Sequence, residues 1–263
     1  MKYTIALLSL LFIWSCSDTV DDQNTTDVDG TTFPDVNALS GSYANMIAAE
    51  DYLYVISDTE LISFRQQEDN SLAEIDRQLL GQDLESLHYR TGVLFIGSSQ
   101  RMYICQLNSE NIPVLQSRTL YTDFSDLRPC DPIVANDELA VVSLSSSTQV
   151  SEDGCGLTEV NEIRFYNIND LTSPQLVNTH SMTNPKGMAL DNNLLFVCEK
   201  QAGLKVMNIA DPMNPIELYH FEDIDKYDAI ATGTTAIVVG TSEIYEFDYS
   251  DPTDIHRIWS VKI

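Results

Sequence analysis

The chain has 263 residues, of which 43% are hydrophobic, and a formal charge of -26. That length and apolar content suffice for a substantial core, whereas so negative a field repels nucleic acid and anionic lipid headgroups and argues against a nucleic-acid role. Short apolar runs separated by Asn, Asp, Thr, Ser and Pro, with no helix-period segment after residue 15, predict an all-β protein.

The first 15 residues are read as a targeting segment outside the fold. Met1-Lys2 supplies a short positive region and Thr4 to Trp14 an apolar stretch too short to span a bilayer. Ile13-Trp14-Ser15-Cys16 resembles the lipobox of bacterial lipoproteins, although Trp14 stands where a small residue is usual. The resemblance implies lipidation of Cys16 and attachment to the membrane through that lipid alone. Residues 16–40 begin with an acidic, polar run that is expected to be a flexible tether. Such a run behind the Cys also resembles the surface-export signals of Bacteroidetes-type lipoproteins. It implies an outer-membrane lipoprotein exposed at the cell surface.

From residue 41 onward one pattern recurs five times at a spacing of roughly 40 residues, the signature of stacked repeats. Leu53-Tyr54-Val55, Leu94-Phe95-Ile96, Leu139-Ala140-Val141, Leu195-Phe196-Val197 and Ala236-Ile237-Val238 mark the second strand of each unit. Four strands are predicted per unit. In the fourth they are Lys186 to Leu190, Leu194 to Cys198, Leu204 to Ile209 and Ile216 to Phe221. A Ser-, Gly- and acid-rich stretch from Ser143 to Val160 is an insertion in the third unit. The predicted fold is a β-propeller of about five four-stranded blades, over residues 41–80, 81–126, 127–184, 185–223 and 224–263. Ring closure is left open between direct packing and a strand from Thr31 to Ser40.

Turns rich in Asp and Pro join the last two strands, as in Ala210-Asp211-Pro212-Met213-Asn214-Pro215 and Asn169 to Pro174. With Gly203-Leu204-Lys205-Val206 before it, the first of these resembles the LVIVD-repeat family of bacterial extracytoplasmic proteins. The resemblance covers most of residues 41 to 263 and implies a propeller fold without defining an activity.

Propeller topology places the loops that enter inner strands on the same face as those joining second and third strands. Cys130 and Cys155 then share a face and are expected to form a disulfide, which the extracytoplasmic location permits. Cys105 and Cys198 fall in strands and read as buried thiols. Ten positions before Val55, Ile96, Val141, Val197 and Val238 stand Asn45, Ser86, Asp131, Gly187 and Asp228. From these and the positions just before them, Asn45, Glu85, Asp131, Lys186, Tyr227 and Asp228 make a candidate ligand rim at the channel mouth.

Two functions fit that rim. The favoured one is a non-catalytic scaffold that binds an envelope protein or a glycan. The alternative is a glycosidase-like enzyme using Glu85, Asp131 and Asp228, since glycoside cleavage needs paired carboxylates about 5 to 10 Å apart. Neither a cofactor nor a metal is expected. The histidines lack ligand spacing, and Asp248, Asp251 and Asp254 are explained as turn formers.

Overall fold

The computed structural model describes residues 42, 44–121, 132–145, 160–224 and 227–263. Within them five four-stranded antiparallel sheets follow one another, each built from strands consecutive in sequence, as in a five-bladed β-propeller. Blade 1 contains β1 (Met46–Ala49), β2 (Tyr52–Ile56), β3 (Glu60–Gln66) and β4 (Leu72–Leu79). Blade 2 contains β5 (Leu84–Arg90), β6 (Val93–Ser98), β7 (Arg101–Leu107) and β8 (Pro113–Leu120). Blade 3 contains β9 (Ile133–Ala135), β10 (Leu139–Leu144), β11 (Glu162–Asn167) and β12 (Gln175–Ser181). Blade 4 contains β13 (Met188–Asp191), β14 (Leu194–Cys198), β15 (Leu204–Asn208) and β16 (Ile216–Phe221). Blade 5 contains β17 (Asp228–Ala231), β18 (Thr235–Val239), β19 (Glu243–Asp248) and β20 (His256–Lys262). Residues 1–40, and with them Cys16 and the stretch from Thr31 to Ser40, lie outside the described residues.

Alternation within each strand explains why the blades stack. In blade 4, Met188 pairs with Val197, and both pack against Val134 and Val141 of blade 3. The neighbouring row, Ala189, Phe196 and Val206, points the other way and packs against Ala229, Val238 and Phe247 of blade 5. Both faces of an inner blade are therefore apolar, which is why its strands read as nearly continuous hydrophobic runs. Among the described residues, apolar clusters fill the junctions of blades 1 and 2, 2 and 3, 3 and 4, and 4 and 5. Phe95, Phe165, Phe196 and Phe247 are fully buried there, and each contributes about 2 to 3 kcal/mol by leaving water. The remaining face of blade 1 carries the exposed Met46 and that of blade 5 the exposed Ile237 and Trp259.

A β-bulge recurs at one position in every blade, where the third strand pairs with the outer one. It falls between Ser63 and Phe64, Ile104 and Cys105, Phe165 and Tyr166, Val206 and Met207, and Glu246 and Phe247. Because a bulge adds one residue and local twist, it gives a structural register for the repeats. Counting from it corrects the sequence alignment of the third unit by one position. Lys205, just before the bulge pair of blade 4, lies opposite Val197, whereas its counterpart Arg164 lies opposite Val142 and not Val141. Pro132, not Asp131, is thus the counterpart of Asn45, Ser86, Gly187 and Asp228. All six residues of β10 are buried, so polarity does not alternate and could not reveal the phase.

The expected turns form where the Asp residues stand. Asp170 Oδ1 accepts from Thr172 N at 2.9 Å, Asp211 Oδ1 from Met213 N at 3.0 Å and Asp251 Oδ1 from Thr253 N at 2.8 Å. Blade 1 lacks the proline, yet Asp69 accepts from Ser71 N at 2.9 Å and Asn70 adopts φ 62. An Asx turn with a left-handed Asn replaces the proline's fixed angle.

At the junction of blades 2 and 3, His88 Nε2 lies 3.1 Å from Ala135 O. Burial pushes its imidazole pKa down to about 4, below the ordinary value of about 6.5. Between those values the unfolded chain binds a proton that the folded chain does not, so His88 stabilises the fold above about pH 6.5 and this contribution is lost as pH falls toward 4. Urea titrations of His88→Gln across that window should show a flatter acid limb than the wild type. Parallel curves would exclude His88 as the source.

Candidate functional site

Hydrogen bonds confirm which loops share a face. Leu84 N, entering blade 2, donates to Asp58 O in the loop between β2 and β3 at 3.0 Å. Ser99 N donates to Asp83 O at 3.2 Å. Lys186 Nζ, entering blade 4, donates to Ser145 Oγ at 3.2 Å, and Ser143 Oγ donates to Lys186 O at 3.0 Å. Entering loops and the loops after second strands are interlocked into one rim, as the topology requires.

Of the predicted rim residues, Asn45, Glu85, Lys186, Tyr227 and Asp228 are described. Asp131, Cys130 and Cys155 lie outside the described residues. Asn45 is exposed just ahead of β1, and its carbonyl accepts from Ile56 N at 2.9 Å. Glu85 is half-buried at an irregularity in the pairing of β5 with β6. Tyr227 is 43% exposed. The structure brings Lys186, Tyr227 and Asp228 together, because Gly187 N donates to Tyr227 O at 2.9 Å and Lys186 N to Cys198 O at 2.7 Å.

Asp228 is half-buried, and one of its carboxylate oxygens is engaged by the segment ahead of blade 1. Its Oδ1 accepts from Ser42 N at 3.2 Å, Ser42 Oγ at 3.1 Å and Ala229 N at 2.9 Å. Ser42 Oγ in turn accepts from Met188 N at 2.7 Å, and Ala44 O accepts from Leu87 N at 2.8 Å. The segment ahead of blade 1 is thereby tied to blades 2, 4 and 5. Gly187 is required by this packing, since a Cβ there would lie 2.6 Å from Asp228 Cα.

Sequence reasoning missed two features of the rim. The first is a set of buried small hydroxyls, Ser42, Ser86, Ser98, Ser99, Ser143 and Ser145. Ser86 stood in the aligned column, but Ser42 lies ahead of the first inner strand, outside the aligned columns, and carried no periodic signal. The second is Glu199, fully buried after β14, which accepts from Thr183 N and pairs with Lys205 Nζ at 3.1 Å. Burial alone would depress the Lys205 ammonium, but Glu199 and Glu217 outweigh it and hold its pKa above the usual lysine value. This pair anchors the loop that leads into Lys186. Its only hint in the sequence was an acid directly after an apolar strand.

Other chemistry has little footing on this rim. Among the described residues no group of three His, Cys, Asp or Glu side chains is placed to hold a metal ion. Asp248 accepts from Ser250 N at 2.8 Å, which fits its turn role. Cys105 and Cys198 are buried in strands as expected. Burial pushes the Cys105 thiol up to about 12, so it is a poor nucleophile at neutral pH. On the opposite face a shallow cavity of about 320 Å³ is lined by Asp191, Asn192, Gly233 and Tyr249. Tyr249 OH donates there to Asp191 Oδ2 at 2.8 Å and accepts from Gly233 N at 2.7 Å, closing blade 5 onto blade 4.

No protein-family model and no curated protein matches this chain. Solved structures do. A protein of unknown function from Desulfotomaculum acetoxidans is 14% identical with a TM-score of 0.65, covering 83% of this chain and 69% of its own. Apo AztD from Citrobacter koseri is 12% identical with a TM-score of 0.54, covering 81% and 60%. The periplasmic gluconolactonase PpgL of Pseudomonas aeruginosa is 12% identical with a TM-score of 0.55, covering 81% and 68%. At such identities the likeness establishes the propeller fold alone. The chain spans 60 to 69% of the length of these three proteins.

Proposed function

We propose that this chain is a lipid-anchored propeller of the LVIVD-repeat type, held at the bacterial cell surface through Cys16, whose rim binds an envelope protein or a glycan without catalysing a reaction. The observation that carries this reading is the state of Asp228. A carboxylate oxygen that accepts from Ser42 N, Ser42 Oγ and Ala229 N serves as a structural acceptor, and a glycosidase would need it unencumbered beside a second acid. Among the described residues predicted for the rim, Tyr227 and Asn45 are exposed and present an aromatic ring and an amide. Such groups stack on sugar rings or anchor a protein interface.

The test is capture of envelope proteins and of a glycan panel by the surface-anchored protein, with wild type and Tyr227→Ala in parallel. Loss of an aromatic anchor is worth about 2 kcal/mol, so Tyr227→Ala should weaken capture about 30-fold with an unchanged melting temperature. Release of reducing sugar from the panel, abolished in Asp228→Asn, would establish the glycosidase reading instead.

A further inference from the structure

A second site lies on the outer circumference, away from the rim. At three successive junctions the outer strand of one blade lies beside the turn between the last two strands of the next. At the junction of blades 1 and 2 that gap is closed by an amide, since Gln78 Nε2 donates to Pro113 O at 2.6 Å. At the junction of blades 3 and 4 an amide closes it again, Asn178 Nδ2 donating to Pro212 O at 2.9 Å and to Met213 O at 3.2 Å. Between these lies the junction of blades 2 and 3, where the repeat register gives Ser117 as the counterpart of Asn178 and Thr119 as that of Gln78. Both side chains are too short to cross. No side chain of β8 bonds to the 169–174 turn, and a groove of about 730 Å³ opens between them.

Three properties of this groove point to its ligand. Leu115 to Thr119 line one wall, about 17 Å of strand. β8 is the outer strand of its sheet, so one main-chain edge is unpaired within the blade and can accept an added strand. Ser117 Oγ is buried without a hydrogen-bond partner, which costs stability unless something supplies one. The opposite wall is Thr172, Ser173 and Pro174, the counterpart of the turns whose carbonyls accept from Gln78 and Asn178.

We propose that the groove between β8 and the 169–174 turn docks an extended peptide segment presenting a side-chain amide. That amide takes the place held by Gln78 and Asn178 at the flanking junctions, while the peptide backbone runs along β8. The site is independent of the rim and of whatever the rim binds.

The experiment uses the full chain and two fluorescein-labelled peptides, Ac-Thr-Val-Gln-Val-Thr-NH2 and the same peptide with Gln replaced by Met. The Gln peptide should bind saturably at one site, with the Met peptide at least about five-fold weaker. Ser117→Asn, which places the closing amide within the protein, should weaken binding about ten-fold or more at an unchanged melting temperature. Asn178→Ser should open a second groove and raise the stoichiometry to two. Failure of the wild type to bind, undiminished binding by folded Ser117→Asn, or a single site in folded Asn178→Ser would each overturn the proposal.

Discussion

Gly187→Ala is expected to lower the melting temperature by about 6 to 12 °C. The added Cβ would stand 2.6 Å from Asp228 Cα, and backbone cannot rotate aside as a flexible side chain can. Both segments are also fixed, because Gly187 N donates to Tyr227 O and Cys198 N to Gly187 O, each at 2.9 Å. Relief therefore requires blades 4 and 5 to separate, at a cost of about 3 kcal/mol, and each kcal/mol corresponds to about 2 to 4 °C in a chain of this size. Gly92→Ala is the internal comparison. Gly92 has φ 75 and nothing near its missing Cβ, so it should lose only about 1 kcal/mol of backbone preference. Equal losses for the two variants, measured by thermal and urea unfolding, would show that the close approach at Gly187 is unimportant.

Asp228→Ala should cost about as much, for a different reason, while Asp228→Asn should cost little. Alanine removes the acceptor for Ser42 N, Ser42 Oγ and Ala229 N. Donors left unmatched in a buried setting, Ser42 being fully buried, lose about 1 to 3 kcal/mol together. Asparagine keeps an oxygen at the same place. A structural acceptor thus predicts near-normal stability and ligand capture in Asp228→Asn, whereas a catalytic carboxylate predicts normal stability with turnover abolished. Hydrogen exchange at Met188 and Ala229 reads the same contrast locally, with faster exchange expected in the alanine variant alone.

The fold was legible because each unit repeats three strands, an Asp-rich turn and a fourth strand, and four strands per unit leave few architectures. The phase of the third unit was not. Leu139 to Leu144 is apolar at nearly every position, and where both faces of a strand are buried a one-residue slip changes no polarity. Only the pairing partners and the bulge at Phe165 and Tyr166 decide it. The rim was legible as a place, since topology alone puts Lys186 beside Tyr227 and Asp228. Its chemistry was not, because Ser42, which engages Asp228, stands ahead of the first inner strand and in none of the aligned columns. A lone serine becomes meaningful only when a distant carboxylate is brought to it. The groove beside Ser117 was hidden for the opposite reason, since it arises from side chains that fall short.

The clusters that hold the molecule together lie between sheets and not within them. Phe196 belongs to blade 4 by sequence but shares its cluster with Ala229, Val238 and Phe247 of blade 5. A tandem copy of one repeat would therefore arrive with both of its faces already matched to the neighbours it lands between. Gaining a blade creates one more junction of the existing kind and demands no new complementary surface. Chains of this design are free to change length by whole repeats over evolutionary time, while a change within a repeat must be tolerated by the sheet next door.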